Sequence, residues 1–369
     1  MNTSPRRAGI ALTLVGVTLT GCSAGDPVAA SPTGPATPPP TTSEPSTAEQ
    51  PVTLEMAFVG RLADEQIGHF QEQVASRSGG ALTMAVDPAL TVDVVTIEQD
   101  IVTALRSGDL DVGVVGVRAF RELGIRDFDA LVAPMAIDSM AAQAAVLDSD
   151  LPDRMLAGLE AHDLTGLAVI AGPMRRPTAT EPITTLADFD GLPFHTFHGE
   201  INALSVEALG GTHVDKNAEG RNADIEAGTL TAYENTLAFF DHAIDWRTKV
   251  HTANLNLWPA VSVLLMSSST WEALTDTQRT ALQEAASDTA QASSSLLPDE
   301  AELAQRVCAA GARLATATPE GLAEIEAALA PVYAELRTDP LVAGYLDEIE
   351  ALTAGLPPES PAIPPGCQA

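Results

Sequence analysis

EQDIVTALRSGDLDVGVVG, residues 98–116, reads as a helix that turns into a strand. Ile97, Ile101, Val102 and Leu105 fall on one side at three- and four-residue spacing, and Thr96 opens the run with Glu98 in its first turn. The turn SGD then hands the chain to an apolar strand. The same alternation extends outward. VTLEMAFV (52–59) alternates as a strand, Ala63 to Ser76 reads as an amphipathic helix, and the glycine pair at 79–80 opens the strand ALTMAVD. DALVAP and LTGLAVIAG supply two further strands. Strands alternating with helices predict an open, mainly parallel sheet with helices on its faces. In such sheets ligands sit beyond the carboxyl ends of strands, here near Gly60–Leu62, Val115–Val117 and Gly172–Arg175.

The middle of the chain has its own strands, in LPFHTF, LTAYEN and KVHTANLN, interleaved with helical stretches. An apolar strand, PAVSVLLM, follows, and the remainder is long, alanine-rich and helical. About 300 residues from Val52 to Leu356 are more than one core normally organises, so two lobes are expected. The boundaries drawn are 52–171 for lobe I, 172–257 for lobe II, 258–356 for a return to lobe I with C-terminal helices spanning the lobes, and 357–369 for a Pro-rich tail.

Residues 1–21 carry the parts of an export signal: Arg6 and Arg7, a short apolar run, and a small-residue exit. LTGC, ending at Cys22, resembles the lipobox of bacterial lipoproteins, which implies that Cys22 is acylated and becomes the N-terminus. Residues 22–51 are rich in Pro, Thr, Ser and Ala and cannot bury enough surface to order themselves, so they predict a flexible tether from the membrane. The formal charge of −31 excludes general affinity for nucleic acid or acidic membranes. Any anionic ligand must therefore find a local cationic pocket. Past Cys22 only Cys308 and Cys367 remain, and an exported chain most simply pairs them, pinning the tail to a C-terminal helix.

Several segments together resemble the DctP-like solute-binding subunits of tripartite ATP-independent periplasmic (TRAP) transporters. HFQEQVASRSGGALTMAV, EQDIVTALRSGDLDVGVVG, MRRPTATEPITTLADFDGLPFHTF, EAGTLTAYENT and SSSTWEALTDTQRTALQEAA follow that family's order and spacing from Val52 to about Ala351. The resemblance implies a two-lobed α/β fold of the periplasmic-binding-protein type II kind, with a hinge and a C-terminal helical region. It also implies a monomer without cofactor or catalytic chemistry that closes on a small solute, usually an organic acid, and passes it to a membrane permease. Its ligand-gripping positions fall on Arg175, His195 and Asn235, with Tyr233 and Glu234 alongside.

His195 departs from the family, where an arginine stands. Arginine offers a carboxylate two parallel charged hydrogen bonds, whereas histidine offers one and is mostly neutral above about pH 6.5. Two explanations stay open: the ligand lacks the usual carboxylate, or Arg175 and Arg176 supply the charge.

Plainer roles compete with each assignment. Arg176 should point away from Arg175 into solvent, His195 can be a core histidine, and Asn235 can cap the next helix. Arg61 stands where a lobe I contact would be, and Trp258 is either core or ligand platform. His195 and His198 lie three apart on a strand, hence on opposite faces, which argues against a metal site. Two other functions compete: a receptor-like protein with a sensing or partner-binding role, and an exported hydrolase. No Gly-x-Ser-x-Gly or His-Glu-x-x-His motif supports the hydrolase.

Overall fold

The computed structural model describes residues 51–59, 64–87, 94–242 and 248–369. The expectations for the export signal, for Cys22 and its tether, and for Arg61 lie outside the described residues. The chain first lays down β1 (Val52–Phe58), α1 (Asp64–Arg77), β2 (Leu82–Val86), α2 (Ile97–Ser107) and β3 (Val112–Gly116). Then come α3 (Met140–Leu147), α4 (Leu151–Gly158) and β4 (Leu164–Ile170). Gly108, at φ 75°, ends α2 in the left-handed conformation, and its cap returns backbone N–H bonds to the Ala104 and Leu105 carbonyls. Asp129–Val132, expected as a strand within DALVAP, is a 3-10 turn. All four of its residues are buried, so burial accounts for its apolar character and strand pairing does not.

The second set begins with β5 (Met174–Ala179), β6 (Pro193–His195), α5 (Glu200–Ala208), β7 (Thr212–Val214) and α6 (Ala218–Ala227). It continues through β8 (Ala232–Asn235), α7 (Leu237–His242), β9 (Val250–Thr252) and β10 (Trp258–Pro259). After β11 (Ser262–Ser267), the chain forms α8 (Ser268–Ala273), α9 (Asp276–Ser293), α10 (Glu300–Ala309) and β12 (Arg313–Ala315). It ends in α11 (Pro319–Ala328), α12 (Ala330–Leu336) and α13 (Pro340–Thr353). No helix among the described residues is long and apolar enough to cross a membrane.

Two sheets result. The first runs β2-β1-β3-β11-β4 and the second β12-β9-β5-β8-β6-β7, with β10 on β5. Neither is mainly parallel. β11 is antiparallel to both β3 and β4, and β5 is antiparallel to β8, β9 and β10. The cause is topological, since strands that return from the other sheet need not follow the handed βα crossover that makes neighbours parallel. Part of the segment expected to return to lobe I also goes elsewhere, because β12 extends the second sheet beside β9.

One apolar cluster runs across both sheets, joining Val115, Val169 and Val263 of the first to Met174, Phe194 and Ala232 of the second, and a second cluster lies on the first sheet alone. Met56, Val112, Leu264 and Met266 pack with Phe70 and Val74 of α1 and with Leu282 and Ala285 of α9. Truncating a buried phenylalanine such as Phe70 to alanine should cost about 3–5 kcal/mol. The connecting segments pass very close to one another. A Cβ on Gly172 would collide with the Ala260 carbonyl, and Ala260 N–H donates to the Pro173 carbonyl at 2.9 Å. The Gln143 side chain clamps this crossing, accepting from Gly172 N–H and donating to its carbonyl, both at 2.8 Å.

Cys308 of α10 and Cys367 are joined in a disulfide, their Cα atoms 5.6 Å apart. The tail lies along β12: Leu314 N–H donates to the Cys367 carbonyl at 2.8 Å and Ala369 N–H to the Leu314 carbonyl at 3.0 Å.

Candidate functional site

The two arginines at the start of β5 face opposite ways, as strand alternation requires. Register pairs Arg175 with Trp258 of β10 and Arg176 with Asn235 of β8. On the first side Glu234 organises the site. Its Oε1 accepts from Phe197 N–H at 2.9 Å and its Oε2 from the Trp258 indole N–H at 2.7 Å. Arg175 Nη1 lies 3.5 Å from the same Oε2. The Arg175 guanidinium carbon sits 4.4 Å above the Phe197 ring, a cation–π contact, while its Nε and Nη1 lack hydrogen-bond partners among the described residues. Burial pushes this guanidinium below the usual arginine range, and Glu234 partly offsets the effect.

The facing wall comes from the first sheet. Arg118, just past the carboxyl end of β3, forms an ion pair with Glu98 at the start of α2. Glu98 Oε1 also accepts from Gly116 N–H at 2.8 Å, so α2 and β3 hold the carboxylate between them. The Arg118 guanidinium carbon lies 4.8 Å over the same Phe197 ring. One aromatic side chain therefore takes a cation from each lobe. Gly199 makes this approach possible, since a Cβ there would stand 3.1 Å from Arg118 Cβ and 2.7 Å from Asn202 Oδ1. Asn202 is fully buried, and both its amide atoms lack partners among the described residues. Around the rim, Arg121 meets Glu200 at 3.2 Å, and His198 bridges Glu122 at 2.7 Å and Asp215 at 2.6 Å.

Of the sequence-predicted residues, Arg175, Glu234 and Trp258 meet directly. Asn235 is buried with Nδ2 unpartnered among the described residues. It does not cap α7, because Thr236 Oγ1 accepts the Phe239 N–H at 3.1 Å. Tyr233 belongs to the adjoining layer, where its hydroxyl accepts from Thr248 Oγ1 at 3.2 Å and Arg221 lies over its ring. His195 is also there, 2% exposed, with Nε2 bonded to the Lys216 carbonyl at 2.8 Å and its ring 6.4 Å from that of Phe197. Burial pulls its pKa down to about 4, only partly opposed by the Lys216 bond, so this ring is neutral at physiological pH.

Arg176, expected in solvent, is 1% exposed. Its Nε donates to Asn256 Oδ1 at 2.6 Å, and its two terminal nitrogens grip Glu300 at 2.9 and 2.8 Å. The long connection that brings α10 back over β5 covers it, and nothing local in the sequence announces that return. Sequence reasoning also missed Glu98, Arg118, Phe197 and Asn202. Arg118 had a signal, as the first basic residue beyond a strand end already marked as ligand-facing. Phe197 and Asn202 had none. A separate cavity of about 850 Å³, lined by Met135, Glu326, Tyr333, Arg337 and Glu350, contains none of the predicted site residues.

Two crossed-over α/β lobes that close polar side chains around a buried seam define an extracytoplasmic solute-binding protein. The chain belongs to the DctP family, bacterial extracellular solute-binding protein family 7, whose model matches residues 61–339. It is 23% identical over 289 residues to the C4-dicarboxylate-binding periplasmic protein DctP of Rhodobacter capsulatus, covering 77% of this chain and 85% of that one. Its fold is that of solved TRAP periplasmic solute-binding proteins. One from Ralstonia eutropha, with bound (S)-2-acetolactate, matches at TM-score 0.73 and 17% identity, over 82% of this chain and 98% of that one. One from Bradyrhizobium, in complex with galacturonate, matches at 0.72 and 24%, over 81% and 100%. One from Shewanella oneidensis, with bound succinate, matches at 0.72 and 18%, over 82% and 99%.

Proposed function

We propose that this protein captures a small organic acid between its two lobes and delivers it, chemically unchanged, to a TRAP-type membrane permease. A lipid on Cys22 would hold it at the outer face of the cell membrane as a monomer. The observation that carries the ligand assignment is the buried, under-bonded Arg175 guanidinium beside a phenylalanine that Arg118 of the other lobe also touches. Buried donors without partners are costly, and a carboxylate entering the seam would satisfy them. Trp258 and Glu234 hold Arg175 in place, and Asn202 offers further hydrogen bonds to the solute, whereas Asn235 lies on the Arg176 face of the sheet, away from the seam. His195 supports Phe197 from behind and does not supply a cation. The acids named with the solved relatives support the ligand class.

Titration calorimetry on the wild type and Arg175→Gln, with a solute found by thermal shift, tests the site. Equal affinity for both proteins would remove Arg175 from it. The anchor has its own test in the mass of the intact exported chain. A signal retained ahead of an unmodified Cys22 would eliminate it. Deleting the gene should abolish uptake of the identified solute, and undiminished uptake would argue against delivery to a permease.

A further inference from the structure

The geometry points to a solute that carries a single negative charge, with Glu98 and Glu234 as the residues that set the limit. This rests on the receptor reading above and narrows it from organic acids in general to one charge class.

Arg118 and Arg175 are the two guanidiniums over Phe197, and each has its own carboxylate, Glu98 and Glu234 respectively. The formal sum of these four groups is zero before any ligand enters. Both carboxylates are also committed as acceptors. Glu98 takes the Gly116 N–H and Arg118, and Glu234 takes the Phe197 N–H and the Trp258 indole. At the position where the resembling family has another arginine, His195 turns Nε2 to the Lys216 carbonyl and adds no charge.

What remains open is a small set of donors, Nε and Nη1 of Arg175 and Nε of Arg118, none with a hydrogen-bond partner among the described residues. Beside them the Asn202 amide, with both atoms free, suits a hydroxyl, carbonyl or amide group of the solute. A second carboxylate would meet Glu98 or Glu234 in a water-poor seam, within a chain whose net charge is already −31. Like charges held close in such a place cost a large factor in affinity.

The test uses the full-length, detergent-solubilised lipoprotein at pH 7.5. A thermal-shift panel of small monocarboxylates and dicarboxylates finds binders. Calorimetry then compares matched series that differ only in charge, such as glucose, glucuronate and glucarate, or succinamide, succinamate and succinate. The monoanion should bind at least tenfold more tightly than its dianion. A dianion that binds as well or better overturns the inference while leaving the receptor reading intact. If no acid in the panel stabilises the protein, the receptor reading itself fails. Glu98→Gln keeps an oxygen for Gly116 N–H and releases the charge of Arg118, so the preference for monoanion over dianion should fall at least tenfold. An unchanged ratio would overturn the role given to Glu98. If this variant does not fold, the wild-type pairs still decide the charge class.

Discussion

The two sides of β5 show how differently one strand can use two adjacent arginines. Both are buried, Arg175 at 4% exposure and Arg176 at 1%. Behind the strand, Asn256 and the two oxygens of Glu300 satisfy Arg176, and the C-terminal tail closes over the cluster. There Asn256 Nδ2 donates to the Asp138 and Glu359 carbonyls, both at 2.7 Å, and Glu359 Oε2 accepts from Met140 N–H at 2.7 Å. In front of the strand, Arg175 has one ion pair at 3.5 Å and nitrogens with no hydrogen-bond partner among the described residues. A buried cation whose hydrogen bonds are complete is scaffold, whereas one left short of them fits the ligand contact proposed for Arg175.

The strongest attack on this contrast is to unpin the tail. Replacing Cys308 and Cys367 with serine releases a closure spanning 59 residues, which should cost roughly 4 kcal/mol on the chain-entropy estimate. Denaturant unfolding would show it, and a midpoint unchanged from wild type would mean the tail is not part of the scaffold. Next comes Arg176→Met. It leaves Glu300 facing Glu359, whose pKa is already raised by burial and by that same neighbour, so about 3 kcal/mol of stability should be lost. Solute affinity should stay within about twofold for the fraction that folds, because Arg176 faces away from the seam.

His195 gives a pH test of comparable size. Its folded pKa lies near 4, below the 6.5 of the unfolded chain, so the unfolded state binds the proton more readily. Its contribution is fully present above about pH 6.5 and is lost as pH falls towards 4, roughly 3 kcal/mol at most. Burial also lowers His213 and His251, which act in the same direction, whereas the raised carboxyls of Asp129 and Asp138 oppose it. Subtracting the unfolding curves of His195→Asn from wild type isolates the effect. Equal slopes for both proteins between pH 4 and 6.5 would contradict it. For the same reason His195→Arg should destabilise the fold, since it puts a second permanent cation near Arg221, which already disfavours a charge there.

The smallest effect on stability, and the most specific to function, is expected of Arg175→Gln. It leaves the buried Glu234 without its cation but with the Phe197 N–H and the Trp258 indole still donating to it, so stability should fall by less than for Arg176→Met, while affinity for the solute falls by about ten- to a hundredfold. A large loss of stability with unchanged affinity would reverse the roles assigned to the two arginines.

Much of the frame was legible from local pattern. The helix-to-strand reading of 98–116 matches α2 and β3, because three- and four-residue spacing and a helix-ending glycine are properties of the segment itself. Alternation alone separated Arg175 from Arg176. The same logic misjudged DALVAP, where apolar residues are buried in a 3-10 turn, and it placed Arg176 in water. Burial there depends on α10, more than a hundred residues later.

From sequence alone come the periodic elements, their approximate ends and the family pattern. These rest on short-range rules of backbone geometry and amphipathic spacing. Only the tertiary structure decided that Glu98, Arg118 and Phe197 join Arg175 and Glu234 in one seam, and that the tail seals Arg176 from behind. Hydrogen-bond satisfaction and charge balance are settled between groups far apart along the chain, and they exist only once both lobes are in place.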